Sequence, residues 1–164
     1  MTDAYLDIET TGLSRFYDYI TVIGIYRCDK GNSELIQLIG EEVSRVNLIR
    51  ALKGVDTIYT YNGSRFDLPF IAGSLGIDLS VEFHHRDLMY DCWENNLFGG
   101  FKAVERRLGI SRQLTGVDGF QAVQLWWRYW KGGSQNALTL LLDYNKEDVI
   151  NLKALKDRLA RLQI

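Results

Sequence analysis

Two carboxylates stand two residues apart near the start of the sequence, in LDIETTGL. Asp7 and Glu9 lie in an alternating pattern that predicts a short strand, so both side chains leave the same face of that strand. Two like charges held this close repel unless a cation lies between them, and Mg²⁺ takes oxygen ligands of this type. The pair therefore predicts a divalent-metal site, with a solvent-facing acidic pair on an edge strand as the alternative.

A third carboxylate follows a predicted strand, in YTYNGSRFDLPFI. Asp67 opens a predicted helix that has Pro69 in its first turn. Since Asp is a favoured helix N-cap and Pro is common in first turns, a helix cap is one interpretation. Ligand sites of mixed sheets gather at strand ends, and this loop could lie beside the end of the first strand. Asp67 is therefore also a candidate metal ligand.

A fourth carboxylate lies on the buried stripe of a predicted C-terminal helix. The stripe consists of Leu152, Leu155, Leu159 and Leu162, which recur at helical spacing. Followed toward the start of the helix, the stripe reaches Asp148 and, one turn earlier, Tyr144. The helix dipole favours an acid near a helix start but does not explain an acid on the apolar stripe. Because a buried unpaired carboxylate is costly, we expect a cation to meet Asp148.

Together the three segments offer four acids that could converge around two cations. The candidate ligands are Asp7, Glu9, Asp67 and Asp148. Two-metal sites of this kind, with ions ~3.5–4 Å apart, carry out phosphodiester chemistry. The prediction depends on the elements that must bring these distant segments to one place.

Those elements indicate an α/β fold with a mixed sheet. Strands are predicted at 4–8, 20–28, 34–39, 56–61 and 81–85, and helices at 43–53, 67–75, 88–95, 101–108, 120–130 and 138–163. The first three strands form an antiparallel meander, strands and helices then alternate, and the C-terminal half is helical. This order is typical of a sheet with antiparallel and parallel strands that helices cover.

The composition indicates an ordinary globular chain. Its 164 residues, 46% of them hydrophobic and 24% charged, are enough for one domain over residues 1–164. Cys28 and Cys92 are isolated, which favours a reducing compartment. The sequence shows no signal-peptide pattern and no apolar run of ~18 residues, so we expect a cytoplasmic protein without a membrane segment. At a net charge of −2, contact with nucleic acid must rest on local patches.

In their order along the chain, LDIETTGL, YNGSRFDLPF and YNKEDV resemble the three motifs of the DEDD, or DnaQ-like, 3′–5′ exonucleases of the RNase-H-like superfamily. Tyr144 with Asp148 resembles the Y-x-x-x-D form of the tyrosine (DEDDy) subgroup. The second segment is similar to the YNGxNFD of family-B polymerase proofreading domains, with Arg65 in place of Asn. The segment GGFKAVERRLGISR is similar to a helix of stand-alone predicted RNase-H-like exonuclease domains.

The resemblance implies an RNase-H-like fold and hydrolysis of single-stranded or frayed nucleic-acid ends with two divalent ions, Mg²⁺ or Mn²⁺. It implies that Asp7, Glu9 and Asp148 hold the first ion, and that Asp7 and Asp67 serve the second. Tyr144 would orient the attacking water, because a phenol with a pKa of ~10 stays protonated. The products would be nucleoside 5′-monophosphates.

The resemblance also implies contacts with a DNA or RNA strand. The candidate substrate-binding residues are Thr10, Leu13, Asn62, Arg65 and Phe66. The basic residues Arg106, Arg107, Arg112, Arg128 and Lys131 are candidates for phosphate contact or a solvated helix face. The aromatic cluster Trp126, Trp127, Tyr129 and Trp130 favours core or oligomer packing over base stacking, so a homo-oligomer is possible. His84 and His85 could bind a metal only with partners that the sequence does not locate.

Two other functions fit the same fold. A non-catalytic nucleic-acid-binding or protein-interaction module usually lacks one or more of the acids, which are all present here. An endonuclease such as an RNase H or a junction resolvase also uses clustered carboxylates, but without the paired Tyr144 and Asp148. A circular substrate separates an endonuclease from an exonuclease, because an exonuclease leaves it intact.

Overall fold

Five strands form one mixed sheet in the computed structural model, which describes residues 1–163. The strands are β1 (Asp3–Thr10), β2 (Ile20–Asp29), β3 (Asn32–Ile39), β4 (Thr57–Thr60) and β5 (His84–Asp87). Their order across the sheet is β3-β2-β1-β4-β5. β1, β2 and β3 pair antiparallel, whereas β4 runs parallel to β1 and β5 parallel to β4. The predicted combination of a meander with parallel strands is confirmed.

Helices cover both faces of the sheet. They are α1 (Arg45–Ala51), α2 (Asp67–Leu75), α3 (Leu79–Glu82), α4 (Leu88–Glu94), α5 (Phe101–Leu108), α6 (Gly119–Trp130) and α7 (Gln135–Leu162), with a 3₁₀ turn at Gly40–Glu42. α7 begins three residues before the predicted start at 138, because the Ser134 hydroxyl accepts a hydrogen bond from the Ala137 N–H and caps it. The predicted helical C-terminal half is confirmed.

The predicted strand at 81–85 is wrong in its first half. Asp78 caps a short helix by accepting a hydrogen bond from the Ser80 N–H, so Val81 and Glu82 are helical. The strand begins at His84 and continues to Asp87.

The alternation along β1 directs its side chains to two different layers. Leu6 and Ile8 pack in a cluster with residues of α1, α2 and α3. Tyr5 faces the other way and packs with residues of α4, α5 and α7. Because side chains alternate along a strand, Asp7 and Glu9 point to the face that α7 covers.

The two halves of α7 have different surroundings. Leu152, Leu155 and Leu159 are buried against α4 and α5, as the stripe predicts, and Val149 is buried with them. Tyr144, in the first half, packs with Trp126 of α6 and Val22 of β2. Leu162, predicted to continue the stripe, is 51% exposed because the helix extends beyond the layer that it covers.

A glycine in β2 lets α7 approach the sheet closely. A Cβ added at Gly24 would lie 2.1 Å from Oδ1 of Asn145, a fully buried residue of α7. Asn145 donates a hydrogen bond to the Asp7 carbonyl at 3.3 Å and accepts one from Gln37 of β3 at 3.0 Å. These bonds fix the first half of α7 across β1, β2 and β3.

Among residues 1–163, no helix combines the length and the apolar character needed to cross a membrane.

A candidate metal centre and the groove beside it

β1 and α7 bring three of the predicted acids together. Asp7, Glu9 and Asp148 each offer one carboxylate oxygen, and these three oxygens lie within 4.8 Å of one another. Asp7 is half-buried, and Glu9 and Asp148 are buried. Hard divalent cations prefer oxygen ligands, and water or substrate can complete the coordination, so the cluster could hold a metal ion.

The electrostatics of the three acids favour a cation. Burial raises the pKa of Asp7 and of Glu9 well above the ordinary range, and the neighbouring charge of Asp148 raises both further. Burial also raises the pKa of Asp148, although Arg112 opposes that shift. Within residues 1–163, the buried Glu9 Oε1 has no hydrogen-bond partner. An ion with two positive charges would satisfy this oxygen and offset the repulsion, so the residues present fit Mg²⁺ or Mn²⁺.

Asp67 lies beside these acids but not within their group of three. α2 begins at Asp67, and the residue at its N-cap position is Phe66, so the predicted capping role of Asp67 is wrong. Its Oδ2 instead accepts a hydrogen bond from the Ile8 N–H of β1 at 3.0 Å. Burial raises the pKa of Asp67 to about 7. The second segment thus lies next to the acid pair of β1.

Asp87, the last residue of β5, fixes the loop before Asp67. It caps α4 through the Met89 N–H. In addition, its Oδ1 accepts a hydrogen bond from the Asn62 N–H at 2.8 Å, and its Oδ2 accepts from the Ser64 N–H and hydroxyl at 3.1 and 2.6 Å. Asn62 has a φ of 60°, which an Asn tolerates better than most residues.

Tyr144 is buried and its phenol oxygen accepts a hydrogen bond from Lys102. The Lys102 Nζ is 3.1 Å from the Tyr144 oxygen and also donates to the Val117 carbonyl at 2.7 Å. Burial raises the pKa of Tyr144 above its ordinary value, and Asp148 and Glu9 add to the rise. The phenol therefore keeps its proton at neutral pH.

A groove with a volume of about 550 Å³ opens beside the acids. Its lining includes Asp7, Glu9, Tyr144 and Asp148, together with Thr10, Leu13, Phe66, Gly119, Phe120 and Val123. Three of the five predicted substrate-binding residues are thus on the groove. The Thr10 hydroxyl donates to the Gly12 carbonyl at 2.6 Å, which shapes the turn that presents Leu13. The α6 residues were missed, because they carry no chemical motif.

The other two predicted substrate-binding residues do not line this groove, as far as the described chain goes. Asn62 is held at the Asp87 carboxylate. The Arg65 guanidinium lies 6.0 and 5.4 Å from the ring centroids of Tyr90 and Trp93, a cation–π arrangement. A smaller pocket of about 320 Å³ shares the site residues and includes Tyr61, Phe101 and Lys102.

Among the predicted phosphate-binding residues, Arg112 has a different role. Its side chain is only 8% exposed and forms ion pairs with Asp148 and Glu105, so its assignment to a solvated face or a phosphate contact is wrong. The interpretation was wrong because the sequence does not reveal that the loop before α6 folds back onto α7. The other four basic residues, Arg106, Arg107, Arg128 and Lys131, are exposed.

The remaining aromatic and histidine signals are not part of the acid cluster. Trp126 is buried in the core, as predicted, while Trp130 stacks on it and is 55% exposed. The His85 Nε2 lies 2.8 Å from the Thr60 hydroxyl, and His84 is exposed. Within residues 1–163, neither histidine belongs to a group that could hold a metal.

The chain belongs to the RNase_H superfamily, because a family described by that name matches residues 4–160. The predicted RNase-H-like fold is confirmed by this match. A comparison with curated proteins finds no significant match.

Solved structures share the fold. The family B DNA polymerase from the hyperthermophilic archaeon Pyrobaculum calidifontis superposes with a TM-score of 0.74 at 16% identity, covering 98% of this chain and 24% of the polymerase. This chain thus spans about a quarter of that protein. Brucella melitensis NrnC superposes with a TM-score of 0.60 at 22% identity, covering 97% of this chain and 72% of NrnC. NrnC structures with bound Mg²⁺ and bound to pGG are also similar.

Proposed function

We propose that this chain is a divalent-metal-dependent 3′–5′ exonuclease of the tyrosine subgroup. The observation that carries the proposal is the meeting of Asp7, Glu9 and Asp148 within 4.8 Å, beside the Tyr144 phenol and an open groove. The likeness to NrnC, which has been observed with Mg²⁺ and with pGG, supports a metal and a nucleic-acid substrate. The proposed substrate is the 3′ end of a single-stranded or frayed DNA or RNA, and the proposed products are nucleoside 5′-monophosphates.

Each acid of the site has a proposed part. Asp7, Glu9 and Asp148 would hold one ion, and Asp7 with Asp67 would serve a second, directly or through water. When bound, Mg²⁺ or Mn²⁺ lowers the pKa of a coordinated water and stabilises charge on the phosphate and the leaving oxygen. The carboxylates supply oxygen ligands, which hard divalent cations prefer.

Tyr144 would orient the attacking water rather than remove its proton. A phenol whose pKa is raised by burial is a poor base but a good hydrogen-bond partner. Because its oxygen already accepts a hydrogen bond from Lys102, its own hydrogen remains free to bond to the water.

The groove would receive the terminal nucleoside. Leu13 and Phe66 offer apolar surface close to the acids, and Phe120 adds an exposed ring from α6. Aromatic rings stack on unpaired bases with little sequence preference, which suits an enzyme that removes one nucleotide after another.

Timed digestion of labelled strands tests the proposal. Linear single-stranded and duplex DNA and RNA, labelled at the 5′ or at the 3′ end, and a circular single strand are incubated with Mn²⁺ or with EDTA. We expect a ladder that shortens from the 3′ end, release of mononucleotides, and no product in EDTA or with Asp7→Asn. A cut circular strand would identify an endonuclease, and metal-independent binding without hydrolysis would identify a binding module.

The Tyr144→Phe substitution tests the role of the phenol. The ring still packs against Trp126, so stability should hold, while kcat should fall by about 10²-fold because the water loses its positioning bond. Steady-state kinetics with a labelled strand measures the change, and Tyr129→Phe on α6 is the matched control. Unchanged kcat in folded Tyr144→Phe would exclude the orienting role.

A further inference from the structure

We propose that Arg112 is a positioning residue for metal binding. It holds one oxygen of Asp148 so that the other oxygen is presented to the cation. The inference builds on the proposed function, but metal binding can be measured without any hydrolysis.

Arg112 bridges two buried carboxylates. Its Nη2 lies 2.6 Å from Asp148 Oδ1 and 2.9 Å from Glu105 Oε1, and its Nε lies 3.2 Å from the same Glu105 oxygen. The side chains of Arg112, Glu105 and Asp148 are 8%, 2% and 12% exposed. Within residues 1–163, Arg112 is the one nitrogen donor to the Asp148 carboxylate, and it bonds to Oδ1. Oδ2 is therefore left for a cation.

Glu105 is itself held in place by α7. The Asn151 Nδ2 donates a short hydrogen bond to Glu105 Oε2 and a second one, at 3.2 Å, to the Ser111 carbonyl. Asn151 lies three residues after Asp148, on the same side of the helix. α7 thus carries both the candidate metal ligand Asp148 and Asn151, which holds Glu105 in place.

The loop that carries Arg112 is also fixed to α7 on its other side. The two carboxylate oxygens of Glu147 accept hydrogen bonds from the Gln113 N–H at 2.7 Å and the Leu114 N–H at 2.8 Å. Because Glu147 immediately precedes Asp148, the backbone next to Arg112 and the metal ligand move together. The guanidinium is thereby kept at the carboxylate before any ion arrives.

The chemistry of arginine suits this position. A guanidinium stays charged at every working pH and has planar donors that can serve two carboxylates at once, whereas a lysine ammonium is a point charge. A fixed positive charge beside Asp148 offsets part of the repulsion among Asp7, Glu9 and Asp148. Groups that orient metal ligands in this way typically contribute 10–100-fold to metal affinity.

Two variants of the Arg112 bridge and one control test the inference. Arg112→Lys keeps the charge but loses the bridge. The double variant Glu105→Gln/Arg112→Gln removes both charges together, so no unpaired carboxylate is left at Glu105. Arg50→Gln removes an exposed arginine of α1 and is the matched control. Mn²⁺ binding to the metal-free proteins is measured by calorimetry, and thermal unfolding in EDTA reports whether each variant is folded.

We expect Mn²⁺ affinity to fall by at least about tenfold in the double variant, by less in Arg112→Lys, and not at all in Arg50→Gln. High Mn²⁺ should restore the hydrolysis rate of Arg112→Lys, which damage to the fold alone would not allow. Wild-type affinity in both folded Arg112 variants would overturn the inference, and so would a wild-type protein that does not bind Mn²⁺. If the wild type binds Mn²⁺ but cuts no strand, the proposed function fails while the Arg112 inference is still decided by affinity.

Discussion

The acids of the site are held close together and away from water, so their charges are costly when no cation is present. Burial raises the pKa of Asp7, Glu9 and Asp148, and it raises that of Asp67 to about 7. A raised carboxyl pKa means that folding takes up a proton. The stability of the metal-free protein should therefore depend on pH.

Asp67 gives this dependence a defined window. Between its ordinary pKa of 3.8 and about 7, the folded protein keeps a proton that the unfolded chain has lost. The contribution of Asp67 to the free energy of unfolding in EDTA should therefore fall as the pH rises through this window and level off above it. Urea unfolding at several pH values measures the fall.

Asp67→Asn should reduce the slope of the unfolding free energy against pH, because that side chain no longer titrates. Asp143→Asn removes a carboxylate from an exposed position of α7 and is the control for the loss of one charge. Equal slopes in wild type and Asp67→Asn would contradict the assignment.

At the scale of elements, the site depends on how closely α7 approaches β1 and β2. Gly24→Ala would drive a methyl group into Asn145, whose amide bonds to the Asp7 carbonyl. We expect the free energy of unfolding to fall. The free energy of Mn²⁺ binding should weaken by a larger amount, because Tyr144 and Asp148 lie on the displaced turns. Urea unfolding and calorimetry measure the two effects.

A second substitution separates the clash from other effects of the methyl group. In Asn145→Ala the space is already free, so adding Gly24→Ala should cost much less than it does in the wild type. Gly73→Ala, in α2 with no atom within 4 Å of the added Cβ, is the control. If the losses of unfolding free energy in Gly24→Ala and Asn145→Ala simply added in the double variant, the close approach at Gly24 would be unimportant.

The sequence predicts those elements that depend on local patterns. Alternation in β1 predicts that Asp7 and Glu9 share a face, and helical spacing predicts that Tyr144 and Asp148 share the buried stripe. The contact of Gly24 with Asn145 joins residues on different elements that periodicity cannot pair. It could have been suspected only from Asn145 lying three residues before Asp148, next to the buried stripe.

Periodicity also fails to predict the contacts of the polar groups around the acids. Lys102 and Arg112 belong to a segment that looks like a solvated helix and loop in the sequence, with Glu105 as its acidic counterpart. The structure buries the ion pairs of Arg112 because the loop before α6 folds back onto α7. Charge patterns along a sequence indicate exposure only on average, so a buried ion pair goes undetected.

At the scale of the whole molecule, the groove is formed by parts that are distant in the chain. Leu13 follows β1, Phe66 precedes α2, and Phe120 opens α6 with its ring 71% exposed. Phe120→Ala should weaken strand binding by about 1–3 kcal/mol, the range for stacking of one base on an aromatic ring. KM for single strands should rise while kcat and the unfolding temperature change little.

Phe98→Ala is the matched control for Phe120→Ala, because that ring is 56% exposed and does not line the groove. Its KM should equal that of the wild type. Equal KM values for Phe120→Ala and the wild type would remove α6 from the binding surface.

The separation of Asp7 from Asp148 along the chain has a consequence during protein synthesis. A ribosome makes β1, with Asp7 and Glu9, long before it makes α7. Until α7 has left the exit tunnel, the nascent chain lacks the third acid, the phenol and the helix that hold the cluster together. Under the proposed function, an unfinished chain would then be unable to degrade the messenger RNA from which it is being translated.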